Sequence, residues 1–301
     1  MAIADLLTSV STAELGKKPR DDEIDLYGVT HPGAVRRENQ DQFLVATIHQ
    51  QARIHGTSLP GIDQLPLQSQ RLGTIMMVAD GVGGGVAGAE ASQLAVETIT
   101  RYVSSTMHCF NTRGRDAEQA FFEALNSAAL EAHDAVRAES ATRVSGDPTR
   151  AHRSMATTLT VSLVVWPYLY LLQVGDSRGY HFHDGALEQM TRDQTLAQDL
   201  VDKGAMPKDR LATSPLSHVL ASAIGGQAAL PEVKRVKIQR DSVVLLCSDG
   251  LTKHVSDAQI AEGCRTMVSA EQLCRSLLDQ AMAGGGSDNI TVLAGRVRPG
   301  A

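Results

Sequence analysis

The sequence predicts an α+β fold built on antiparallel sheets. Two observations carry that reading. Strand signals come in hairpin-linked runs and helical signals come in pairs, whereas a doubly wound parallel sheet would alternate them strictly. Hydrophobic residues make up 43% of the 301-residue chain and aromatics only 4%, so a sizeable core must rest on aliphatic side chains.

Residues 1–22 read as a polar, mobile tail, and residues 23–301 as a single domain. Strand signals begin at Ile24–His31 and resume at Phe43–Ile48, rich in apolar and β-branched residues. Residues 49–71, with Gly, Pro, Gln and Ser, read as an inserted loop or long hairpin. Leu72–Ala79 is a nearly continuous apolar run, the pattern of a strand buried on both faces. Helices follow at Ala89–Met107 and Glu118–Glu139, the second with Phe121, Leu125, Ala128, Ala132 and Val136 along one face. After a polar stretch at 140–153, strands are expected at Ala156–Val165, Tyr168–Val174, Gly179–His183 and Ala186–Met190, with turns at Trp166-Pro167 and Asp184-Gly185. Leu196–Lys203 reads as a helix and 204–217 as a loop. Strands Val233–Ile238 and Val243–Cys247, helices Ser256–Arg265 and Ala270–Met282, and a last strand Asn289–Val297 complete the chain. His181 and His183 alternate along one strand and read as exposed structural residues.

A net charge of −6 and a pI near 5.9 argue against a nucleic-acid binder. No stretch of about 18 uninterrupted apolar residues predicts a membrane span. The N-terminus lacks the charged region and apolar core of a signal peptide, and the four cysteines form no CxxC pair, which points to reduced thiols in the cytoplasm.

The chemistry is expected from aspartates at strand ends. Asp41 enters the run FLVATI, Asp80 closes TIMMVA, Asp249 closes VVLLCS, and Asp288 precedes NITVLAG. Carboxylate oxygens are hard ligands that suit Mg²⁺ or Mn²⁺, and no HExxH or Cys/His cluster speaks for zinc. Gly81 and Gly250 follow two of these acids and allow close approach to a metal. Asp-Gly is also a common turn dipeptide, so Asp184-Gly185 reads as a hairpin turn only. The Gly83–Gly85 cluster lacks the GK[ST] ending of a P-loop and reads as a tight turn.

Read in order, Arg36-Arg37-Glu38-Asn39-Gln40-Asp41, Val78-Ala79-Asp80-Gly81, Thr157-Thr158-Leu159, Gly175-Asp176-Ser177-Arg178, Met190-Thr191-Arg192-Asp193, Cys247-Ser248-Asp249-Gly250 and Gly286-Ser287-Asp288-Asn289 resemble the successive motifs of the type 2C metal-dependent protein serine/threonine phosphatases, in their bacterial branch. The resemblance covers about residues 24–298. It implies a four-layer α-β-β-α sandwich, with two antiparallel sheets flanked by helices and two core Mn²⁺ or Mg²⁺ ions at the sheet tips. Asp80 would bridge the ions, Gly81 would offer its carbonyl, and Asp41, Asp249 and Asp288 would complete the ligand set. Arg36 matches the phosphate-binding arginine, and a guanidinium fork suits phosphate oxygens. The segment 196–217 would be a mobile flap beside the site.

Three positions depart from the family pattern. Val82 stands where animal members carry a histidine thought to protonate the leaving group, which leaves the general acid unassigned. Gln40 stands where many members have Glu. No acid lies between 148 and 156, so a third metal would need Asp147 or be weakly held. The implied function is hydrolysis of phosphoserine and phosphothreonine in proteins by metal-activated water, opposing a bacterial Ser/Thr kinase, in a monomer with no nucleic-acid or membrane partner. The contrary reading is a catalytically weak phosphoprotein-binding or sensor module, and a small-phosphoester hydrolase would use the same metals.

Overall fold

The computed structural model describes residues 17–50, 70–83, 86–106, 115–146 and 155–298. Two antiparallel sheets face each other. One runs β1 (Ile24–His31), β11 (Ile290–Val297), β10 (Val243–Cys247), β7 (Arg178–His183) and β8 (Ala186–Gln189). The other runs β2 (Asp41–Gln50), β3 (Gln70–Val82), β5 (Leu159–Val165), β6 (Tyr168–Val174) and β9 (Glu232–Lys237), with the short β4 (Ala156–Thr157) paired to the end of β3.

The layering follows from the apolar runs. A strand turns alternate side chains to opposite faces. On β3, Ile75 and Met77 face the helices α1 (Val86–Thr106) and α2 (Arg115–Gly146), while Met76 and Val78 face the opposite sheet. On β10, Leu245 and Cys247 face α5 (Asp257–Thr266) and α6 (Ala270–Ala283), while Val244 and Leu246 meet Met76 and Val78 between the sheets. Three apolar cores in series therefore give the four layers that the family resemblance implied. The helix faces also match expectation: Phe121, Leu125, Ala128, Ala132 and Val136 are buried, as are Leu273, Leu277 and Ala281. Ser256 and Ser269 cap α5 and α6 by accepting hydrogen bonds from the Gln259 and Gln272 amides. Of the cysteines, Cys247, Cys264 and Cys274 are buried free thiols, and Cys109 lies outside the described residues.

Several boundaries differ from the sequence reading. β3 runs past Asp80 to Val82, because its tip still has β4 to pair with. The run 156–165 breaks at Thr158, whose side chain is needed elsewhere. α2 continues through 140–146, which were expected to be irregular. The helix expected at 196–203 is α3 (Leu196–Asp202), and the stretch 204–217 is not featureless: Lys208–Thr213 and Pro215–His218 form two short 3-10 turns. Asp249 does not end a strand; it opens the one-turn helix α4 (Asp249–Thr252). His181 and His183 are half-buried. His181 shares a hydrogen bond with Ser242 Oγ (3.0 Å), and burial lowers its pKa. His183 lies between Asp184 and Asp241, at 3.2 and 3.1 Å. Residues 1–16 of the expected tail, the insertion 51–69, Gly84, Gly85 and Asp147 lie outside the described residues. From Lys17 the chain is described, and Asp21 pairs with the buried Arg71 at 2.6 Å.

Candidate metal centre and active site

The fold brings the four predicted acids to one end of the sandwich. Asp41 opens β2 and faces Asp80 directly across the β2–β3 ladder. Asp249 follows β10, and Asp288 precedes the adjacent β11. The two sheets are joined here by hydroxyls: Ser248 Oγ and Thr291 Oγ1 donate to Asp41 Oδ2 at 2.7 and 2.6 Å. Asp80, Asp249, Asp288 and Arg36 line a cleft of about 440 Å³.

Two further charged groups stand in that cleft. Asp176, in the loop between β6 and β7, lines it beside Asp80 and Asp249. Lys253 Nζ lies 2.7 Å from Asp249 Oδ2 and 2.7 Å from Asp288 Oδ2. Neither was assigned a role from sequence. Asp176 was legible, because Gly175-Asp176-Ser177-Arg178 follows the buried run YLYLLQV, the same placement that singled out Asp80. Lys253 carried no such signal. The arginine of that motif is structural: Arg178 forks onto Asp193 at 2.7 to 3.2 Å.

The acids repel one another in a poorly solvated space. Burial, then the charges of Asp249 and Asp288, push the Asp41 carboxyl up to about 6 against the hydroxyls of Thr291 and Ser248. Burial and the neighbouring Asp41 and Asp249 raise Asp80 well above the usual carboxylate range. Asp176 is pushed up to about 7 by burial and by Asp249 and Asp193. Burial also opposes ionisation of Asp288, but Lys253 and Arg36 outweigh it and hold its pKa below the ordinary value. Asp41 Oδ1 and Asp249 Oδ1 are buried with no hydrogen-bond partner. A buried carboxylate oxygen without a donor is costly. Oxygen ligands alone, two of them unpartnered, fit a hard divalent cation.

Packing fixes these groups. Thr158 Oγ1 accepts from the Asp80 amide (2.9 Å), Thr157 Oγ1 donates to the Asp80 carbonyl (2.9 Å), and Thr158 Oγ1 also hydrogen-bonds Ser177 Oγ (2.7 Å). Asn289 organises the loop that carries Arg36. Its Nδ2 donates to the carbonyls of Pro32 and Glu38 (3.0 and 2.8 Å), and its Oδ1 accepts from the Gln40 amide (2.9 Å). Gln40 is buried, and its carbonyl accepts from Gly81 N and Ser92 Oγ. The glycines after the acids have a reason the sequence did not show. A Cβ on Gly250 would stand 1.9 Å from the Asn289 carbonyl oxygen, and one on Gly81 2.3 Å from that of Gly88. Arg36 grips Asp288 with Nε at 2.8 Å and Nη2 at 3.0 Å, at the edge of the cleft.

Residues 55–284 match the family described as protein phosphatase 2C. The serine/threonine protein phosphatase PstP of Mycobacterium tuberculosis is 33% identical over 223 residues, which are 74% of this chain and 40% of PstP. The chain thus spans about two-fifths of that relative's length. The serine/threonine phosphatase Stp of Listeria innocua is 29% identical over 221 residues, 73% of this chain and 82% of Stp. A crystal structure of M. tuberculosis PstP superposes with a TM-score of 0.70 at 27% identity, covering 92% of this chain and 99% of that one. A PstP catalytic domain in complex with two manganese ions gives 0.67 at 27% identity, covering 92% and 99%. With the four-layer fold and the clustered acids, these matches show that the chain belongs to the protein phosphatase 2C family.

Proposed function

We propose that this protein is a metal-dependent protein phosphatase that hydrolyses phosphoserine and phosphothreonine in bacterial phosphoproteins. The observation that carries the proposal is that Asp80, Asp249 and Asp288 line one cleft, with Asp41 directly across from Asp80, and that Asp41 and Asp249 each have a buried, unpartnered carboxylate oxygen. These residues, with the carbonyl of Gly81, would hold two Mn²⁺ or Mg²⁺ ions. Such ions acidify a water for attack and neutralise charge on a phosphoryl group. Asp176, which lines the same cleft, would contribute oxygen ligands to a further ion, for which the sequence reading offered Asp147 or a weakly held site.

The chain's own groups divide the remaining work. Ser248 and Thr291 fix the orientation of Asp41, and Thr157 and Thr158 that of Asp80. Arg36, half-exposed on the cleft edge, presents a fork that matches two phosphate oxygens as well as it matches Asp288. Lys253 adds positive charge on the same side. We further propose that residues 23–301 act as one catalytic domain, as a monomer in the cytoplasm, opposing a Ser/Thr kinase. No described helix is long and apolar enough to cross a membrane. The complete acid set favours an active enzyme over a phosphoprotein-binding module.

The test is hydrolysis of p-nitrophenyl phosphate and a phosphothreonine peptide. EDTA is expected to abolish both reactions and Mn²⁺ or Mg²⁺ to restore them. Full activity in metal-stripped protein would sink the proposal.

A further inference from the structure

Loss of a phosphoryl group leaves an alkoxide on serine or threonine, a far poorer leaving group than a nitrophenolate, so a proton donor at that oxygen is worth much. Val82, next to Asp80 and Gly81, carries no transferable proton. We propose that His218 is that donor. The inference rests on the phosphatase reading above and deepens it.

His218 lines the same cleft as Asp80, Asp249 and Arg36, and it is brought there by a different element of the fold. The acids rise from the tips of the two sheets, whereas His218 closes the 3-10 turn Pro215–His218. Attacking and leaving oxygens lie roughly in line across phosphorus. A water activated among the acids therefore puts the leaving oxygen on the side away from the sheet tips. The other cations lining the cleft are poor donors. A guanidinium such as that of Arg36 gives up no proton in a protein, and Lys253 Nζ is engaged by two carboxylates, Asp249 and Asp288, at 2.7 Å each. Imidazole is the side chain that ordinarily gives and takes a proton between pH 5 and 8.

The turn carrying His218 is held on both sides. Ser214 Oγ accepts from the Leu216 amide at 3.2 Å. The Leu196 amide donates to the Val219 carbonyl (2.9 Å), and the Ala221 amide to the Gln194 carbonyl (2.8 Å). A little further on, Ile224 exchanges two backbone hydrogen bonds with Thr157, the residue that clamps Asp80 (3.0 and 2.9 Å). The flap is thus tied to the acid cluster through backbone contacts.

In the step, the water oxygen bonds to phosphorus and the phosphorus–ester oxygen bond breaks. The electron pair stays on the ester oxygen, which takes the imidazolium proton and leaves as the serine or threonine hydroxyl. One proton of the attacking water passes through solvent to the imidazole, restoring it and leaving hydrogen phosphate.

The experiment compares His218→Gln with the parent protein at saturating Mn²⁺ on p-nitrophenyl phosphate, phenyl phosphate and a phosphoserine peptide. The two aryl esters nearly share a shape but differ in leaving-group basicity. General acids contribute on the order of a hundredfold or more where the leaving group is poor. The kcat of the variant is expected to fall by about that factor on phenyl phosphate and the peptide, and by less than about threefold on p-nitrophenyl phosphate. The retained nitrophenyl rate doubles as evidence of an intact fold. An equal loss on both aryl esters, or a loss confined to the peptide, would overturn the assignment and make His218 a structural or peptide-contacting residue. A parent protein inert toward all three would overturn the phosphatase reading and this inference with it.

Discussion

Two Asp-Gly dipeptides in this chain look alike on paper and do opposite things. In Asp249-Gly250, the acid opens α4 with its side chain 24% exposed, and the glycine is forced by the Asn289 carbonyl 1.9 Å from where a Cβ would stand. In Asp184-Gly185, φ is +50° and +77°, the acid is 82% exposed, and a Cβ on the glycine would meet nothing within 4 Å. Positive φ at both central residues is the signature of the tight hairpin turn that joins β7 to β8. One glycine answers to its neighbours and the other to its own backbone. The local sequence of two residues carries neither fact; the strand that precedes and the loop that arrives from elsewhere do.

The comparison can be broken first at the acids. Asp249→Asn keeps the shape but removes charge and a metal-binding oxygen, so kcat at saturating Mn²⁺ should fall by on the order of a hundredfold or more. Circular dichroism should show an intact fold, since the change also relieves repulsion among the acids. The glycines come next. Gly250→Ala forces two backbones apart and should destabilise by about 1–3 kcal/mol in denaturant unfolding, with loss of activity. Gly185→Ala meets no neighbour and should cost about 1–2 kcal/mol, the price of a left-handed backbone with a Cβ, and spare the activity. Equal effects on activity would show that the crowding at Asn289 is relieved without cost to the site.

Arg36→Ala removes an anion contact made already in the ground state, so KM for a phosphopeptide should rise more than kcat falls. The lost charged hydrogen bond is worth about 1.5–3 kcal/mol. An unchanged KM would make Arg36 a partner of Asp288 only, or assign the phosphate contact to Arg37.

Proton linkage predicts a smaller effect. Asp41, Asp80 and Asp176 all have raised folded-state pKa values, with Asp41 near 6 and Asp176 near 7. From about pH 4 to pH 7 the folded chain then binds more protons than the unfolded chain, so metal-free stability should decline as pH rises through that window. A divalent cation competes with those protons, so the rise in Tm on adding Mg²⁺ should be larger at pH 8 than at pH 5. A shift independent of pH, measured in EDTA and in Mg²⁺, would contradict the placement of the cation at these acids. The smallest effect belongs to Asp184→Asn. Asn serves such turns equally well, and the exposed Asp184 carboxylate lies far from the acid cluster and lines no part of the cleft, so kcat should stay within about twofold.

Much of this was legible in the sequence. β6 and β10 fall where their apolar runs place them, because a run buried on both faces has no other stable environment in a chain of this size. Asp41, Asp80, Asp249 and Asp288 were legible because each stands at the end of a strand-like apolar run. What did not show was contact across the gap between sheets. Nothing near Ser248 or Thr291 announces that both hydroxyls reach Asp41. Gln40 read as a departure that weakens a supporting carboxylate behind the ligands, and it is buried as part of the frame under Gly81. The stretch 204–217 lacked periodicity because its 3-10 turns are too short to have any.

The hydroxyl clasp on Asp41 also bears on how the chain reaches this state. Its donors stand 207 and 250 positions away along the sequence, so closing it demands nearly the whole chain. Contacts of such separation reward the chain only after most of its loop-closure entropy has been spent, which places them late on the folding route. A cation that binds the completed cluster should then act after the transition state, slowing unfolding while leaving the refolding rate almost unchanged. The lifetime of the folded protein, more than the speed of its making, would follow the supply of divalent metal.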